Sequence, residues 1–157
     1  MSFTTFVELN RTFEVSWAPE QVFELLADVP KSVAHFPKVD KLIDLGDNAY
    51  RWEMEKIGVQ MYNIQAIHAC KYTSYPGMKT VKWEPVKGVG NGVVSGSWKL
   101  DDAEGGGTVV KFHIKATLET DLPFFVKMAV SPIVAGEFES MIDTYHKNLQ
   151  ETMNAPG

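Results

Sequence analysis

His68 and Cys70 lie two apart in a run of alternating character, so on a strand they face the same way, about 7 Å apart along the chain. A Cys–His pair is a candidate nucleophile and base, yet attack needs hydrogen-bond distance and a third group to orient the base. A packed thiol beside a histidine is the simpler reading. The four histidines, His35, His68, His113 and His146, form no i, i+4 pair and no H-E-x-x-H, and Cys70 is the single cysteine. No metal site, cofactor motif or intramolecular disulfide is expected. Lys87-Gly88-Val89-Gly90-Asn91-Gly92 lacks the Lys-Ser/Thr of a phosphate loop and joins two strands instead of opening a helix. It reads as a hairpin turn, able to move aside at a cavity mouth. Tyr62, His68 and Tyr72 share one parity and put polar tips on an otherwise apolar face. They suit orienting a ligand carbonyl or hydroxyl, and a cyclase would use such groups to polarise a ketone. Internal hydrogen bonding with no ligand accounts for them equally well.

The elements that must hold these residues are legible from periodicity. Val7, Leu9, Phe13 and Val15 alternate with polar residues, predicting a strand, while Arg11 falls among the apolar set and must interrupt it or reach outward. A helix is predicted over 18–28, with Pro19 and Glu20 in its first turn, and a break at Val29-Pro30. A second short helix follows over about 31–35. Six strands are predicted at 39–45, 49–57, 59–73, 79–85, 93–101 and 108–120, separated by glycine-rich turns too short for helical crossovers. The sheet is therefore antiparallel. From residue 122 to about 153 the period becomes helical, with Phe138, Met141, Ile142, Tyr145 and Leu149 on one stripe and Pro132 expected to kink or break the run.

Seven neighbouring strands at about 4.8 Å spacing span roughly 30 Å. One helix is about 10–12 Å across. A flat sheet would be left mostly bare, so the expectation is an α+β fold, a curved seven-stranded antiparallel sheet wrapped around the C-terminal helix. The short helices would close one end. Space left inside should be lined by inward side chains: Trp52, Met54, Tyr62, Ile64 and His68, then Trp83, Trp98, Phe112 and Ile114, then Phe138, Met141 and Tyr145. Phe125 and Met128 join them if the apolar segment 122–130 is a lid; that segment reads equally as core or as an interface.

Composition narrows the partners. The 157 residues suit one domain, 45% are hydrophobic, and the net charge is −5 with no basic cluster, so nucleic acid is not an expected partner. No stretch has the length of a membrane span, and the N-terminal residues lack signal-peptide character, so a cytoplasmic setting is expected.

The order of elements, with Ala18-Pro19-Glu20-Gln21-Val22-Phe23-Glu24-Leu25-Leu26-Ala27-Asp28-Val29-Pro30, then His35-Phe36-Pro37, the six-strand run and a proline-interrupted helix, resembles the SRPBCC superfamily. This is the START and birch-pollen-allergen-like helix-grip fold. Within it the chain is most similar to the polyketide cyclase/dehydrase and lipid-transport group, which includes coenzyme-Q-binding START-like proteins. The resemblance spans nearly the whole chain and carries no catalytic signature. It implies a hydrophobic guest such as a lipid, quinone or polyketide. The leading expectation is a binder or carrier of a small hydrophobic molecule, with no cofactor. The alternative is a cyclase or dehydratase using Tyr62, His68 and Tyr72. A third reading is transient membrane or partner contact through Phe125 and Met128.

Overall fold

Alternation builds the first strand, β1 (Phe3–Val15), whose odd-numbered residues turn to the interior and even-numbered ones to solvent over most of its length. In a computed structural model that describes residues 2–59 and 61–156, this strand is followed by α1 (Pro19–Ala27) and α2 (Val29–Val33). Pro19 opens α1, and the Gln21 side chain accepts a hydrogen bond from the Ala18 N–H at 3.3 Å. The first helix ends at Ala27, as the break expected at Val29-Pro30 requires, and the second begins at Val29, two residues before its expected start. Pro30 sits in the first turn of α2, where it sacrifices no helical hydrogen bond, and the Asp28 carboxylate caps the Lys31 N–H at 3.2 Å.

Seven strands form one antiparallel sheet. These are β1, β2 (Val39–Gly46), β3 (Ala49–Met54), β6 (Ile67–Tyr75), β7 (Thr80–Pro85), β8 (Gly92–Asp102) and β9 (Thr108–Thr120), in spatial order β1-β9-β8-β7-β6-β3-β2. The expected continuous strands over 49–57 and 59–73 are not formed. The chain leaves the sheet after Met54, makes a separate hairpin of β4 (Ile57–Val59) and β5 (Tyr62–Ile64), and rejoins it at Ile67. Gln60, within the expected strand, lies outside the described residues. Asn91 provides the physical reason: its side chain accepts from the Ile67 N–H at 2.9 Å and donates to the Gln65 carbonyl at 2.9 Å. Those are the backbone groups that a neighbouring strand would otherwise satisfy. The glycine loop is accordingly tied to the β5–β6 junction by Asn91. Gly90, at φ +68, lies so close that a side chain there would collide with the Ile67 carbonyl.

The long helix α3 (Lys127–Met153) runs unbroken through Pro132, preceded by a single 3-10 turn over Phe124–Val126. Pro132 is only five residues from the helix start, near the turn where backbone N–H groups lack intrahelical partners, which limits the disruption. Met141, Ile142, Tyr145, Leu149 and Met153 are buried against the sheet. Arg11, the odd residue on the inner face of β1, reaches α3 and pairs with Glu139 at 2.6 Å and Asp143 at 3.0 Å.

Beneath the helix, Gly96 of β8 allows the sheet to close on its own aromatic side chains. A methyl group there would stand 2.5 Å from the Trp83 ring and against the His113 carbonyl. Gly96→Ala is expected to destabilise the protein by about 1–3 kcal/mol. Urea unfolding at constant m-value checks it, and an unchanged midpoint would show that the ring moves without cost.

Candidate functional site

Strands β1 and β3 stand five ladder steps apart, about 24 Å if the sheet were flat. Thr5 and Val7 of β1 nevertheless line the same cavity as Trp52 and Met54 of β3. The sheet is therefore curled, and α3 lies along its inner face. Between them is a cavity with about 110 Å³ of room for the centre of a water-sized sphere. An engineered apolar cavity of about 150 Å³ takes up benzene, so the scale is that of a small ring system.

The walls follow the strand parity read from the sequence. His68, Cys70 and Tyr72 of β6 face inward with Trp83 of β7, Trp98 of β8, and Phe112 and Ile114 of β9. Phe138, Met141 and Tyr145 of α3 close the opposite side. Four expected residues are elsewhere. Tyr62 is on the separate β4–β5 hairpin and Ile64 is buried in a second cluster with Phe3, Leu118, Val130 and Val134. Both were displaced when the chain left the sheet. Phe125 and Met128 are 83% and 90% exposed, on the outer side of the segment whose inner side buries Val130. They are not part of the cavity wall. The short helices close one end as expected, and Leu26, Val29, Ser32, Val33 and Phe36, not named from the sequence as lining residues, form that wall. The spacing of Val29, Ser32 and Val33, i, i+3 and i+4, was the available signal.

Most polar groups of the cavity are satisfied within the protein. The Trp52 indole N–H donates to the Tyr72 hydroxyl at 3.1 Å, the Ser32 and Tyr145 hydroxyls bond each other, and the Cys70 thiol donates to the Val94 carbonyl at 3.3 Å. Burial pushes the Cys70 thiol up to about 12 and raises Tyr72 and Tyr145, so all three stay protonated at neutral pH. Cys70 is thus no nucleophile poised by His68. The His68 ring stacks on Trp52, with centroids 5.3 Å apart and planes 21° apart. It makes no hydrogen bond to any described residue, and burial pushes it down to about 4.

The other histidines have structural roles. His35 bonds the Lys31 carbonyl and the Thr152 hydroxyl, and His113 pairs with Glu8 at the surface. His146 is sealed among Phe13, Trp98, Phe112 and Tyr145, and its Nε2 has no hydrogen-bond partner among the described residues. Burial pushes it, too, down to about 4. Among the described residues no three His, Cys, Asp or Glu side chains are grouped to hold a metal.

A histidine in the unfolded chain titrates near 6.5. Between pH 6.5 and about 4 the unfolded chain binds protons that folded His68 and His146 refuse. Their contribution to stability is complete above pH 6.5 and is lost as pH falls towards 4, with a slope of up to about 1.4 kcal/mol per pH unit for each. Unfolding of wild type and His146→Leu across this range should show the variant with a shallower slope. Identical slopes would contradict a neutral His146.

Comparison with known proteins adds to this geometry. No match was found among curated proteins. A START superfamily protein from Mycobacterium smegmatis superposes with TM-score 0.67 at 12% identity, covering 93% of this chain and 96% of that one. A conserved protein from Geobacillus kaustophilus gives 0.66 at 16% identity, covering 94% and 95%. Zhui, an aromatase/cyclase from Streptomyces sp. R1128, gives 0.57 at 13%, covering 94% and 91%. At such identities these likenesses establish the helix-grip fold. The family model described as polyketide cyclase / dehydrase and lipid transport matches residues 7–150, and with that match the chain belongs to this family.

Proposed function

We propose that this protein binds a small hydrophobic molecule in the cavity between the curled sheet and α3, as a carrier or receptor and not as a catalyst. The observation that carries the reading is an apolar cavity whose titratable groups, His68, Cys70, Tyr72 and Tyr145, are all shifted by burial away from proton exchange near neutral pH. General acid–base chemistry works best with a pKa near the operating pH. Lipid and polyketide-like compounds both belong to the guest class that the family description suggests.

Native mass spectrometry after incubation with a cell lipid extract tests the reading, with Ala116→Phe as a control that fills the cavity from β9. The wild type is expected to retain an apolar species, and the variant to lose at least tenfold of it with its circular dichroism unchanged. Equal retention by both proteins would place the guest elsewhere.

Exposed Phe124, Phe125 and Met128 at the start of α3 support transient contact with a bilayer during loading. No helix among the described residues is long and apolar enough to cross one. Phe125→Asp should reduce co-sedimentation with phosphatidylcholine vesicles several-fold. Unaltered co-sedimentation would remove that segment from the contact.

A further inference from the structure

His68 is half-buried and is among the residues lining the cavity, so the surface it keeps borders that space. Its neighbour Trp52 offers only a ring face, because the Trp52 N–H is already committed to Tyr72. Gly92 of β8 stands against the His68 Cβ, where an added methyl would come within 3.2 Å. The imidazole is thus held from two sides, with no hydrogen-bond partner among the described residues. A neutral imidazole has one N–H donor and one bare nitrogen acceptor, and leaving both unmet in an interior is costly. A guest that meets them relieves this cost.

Charge sets the second condition. Among the described residues that line the cavity, none is Lys, Arg, Asp or Glu. A carboxylate or phosphate brought inside would lose its hydration with no cation to replace it. Building on the binding function proposed above, we propose that the cavity selects an uncharged guest whose hydroxyl or carbonyl oxygen docks on His68, and rejects anionic amphiphiles of the same shape. A hydroxyl satisfies both nitrogens' requirements in turn, as donor or acceptor, and a carbonyl satisfies the N–H. Free fatty acids and phosphorylated lipids are excluded by the same lining that accepts their alcohols and ketones.

The test uses naphthalene, 2-naphthol and 2-naphthoate at pH 7.5, where the first two are neutral and the third is an anion. Their affinities for the wild type, His68→Leu and His68→Gln are measured by fluorescence titration. In the wild type, 2-naphthol is expected to bind about three- to tenfold tighter than naphthalene, the worth of one net hydrogen bond, and 2-naphthoate at least tenfold weaker than 2-naphthol. His68→Leu should retain naphthalene and erase the naphthol advantage, and His68→Gln, with an amide donor and acceptor, should restore part of it. Naphthoate binding as tightly as naphthol, or an advantage that survives in His68→Leu, overturns the proposal while naphthalene binding keeps the cavity reading intact. Failure of all three compounds to bind overturns both. The wild-type ranking stands as a test even if the variants fold poorly.

Discussion

A single α-helix is too narrow to cover seven strands, and the interior depends on how the sheet answers that mismatch. Curling brings β1 and β3 to a common space, and α3 then meets side chains from several strands at once. The fit is tight along the last turns of the helix, where Leu149 and Met153 are completely buried. Towards its first half, Val134 and Met141, though buried, border the cavity together with half-buried Phe138. The hollow is what remains after one end of the helix has been fully packed.

Aromatic rings fill the middle of this arrangement. Trp98 and Phe112 have centroids 4.6 Å apart and Trp83 and Phe112 5.8 Å apart, and Trp98 also meets Tyr145 across the gap. Such rings bury large areas in few rotamers, which makes a firm wall. They also set the electrostatics. Burial lowers the pKa of two histidines, but to different ends. His146 is enclosed by rings and serves as packing with an unmet nitrogen, whereas His68 borders the cavity, where a guest can meet it. Membership of the family and the superposed structures agree on the fold.

Strand parity was legible because a buried face imposes a two-residue period, and Trp52, His68, Trp83, Trp98, Phe112 and Ile114 all face the interior on that rule. The C-terminal stripe from Phe138 to Leu149 was legible for the corresponding helical reason. The departures come from partners distant in sequence. Tyr62 and Ile64 keep the right parity but leave the sheet, because Asn91, more than twenty residues away, takes over the hydrogen bonds at the junction. The segment around Phe125 and Met128 is apolar nearly all round, so its sequence could not say which side would be covered.

What the sequence alone determined is the order of the main helices and strands outside residues 55–66, their antiparallel pairing and the inward set on most strands, since each follows from local period and turn length. What only the tertiary structure decided is the size of the hollow, which residues of α2 line its end, the lack of a hydrogen-bond partner for His68 among the described residues and the outward placement of Phe125. Those depend on the curvature of the sheet and on which distant side chain reaches each backbone or ring nitrogen. A one-dimensional pattern carries the facing of a residue and not the distance to what it faces.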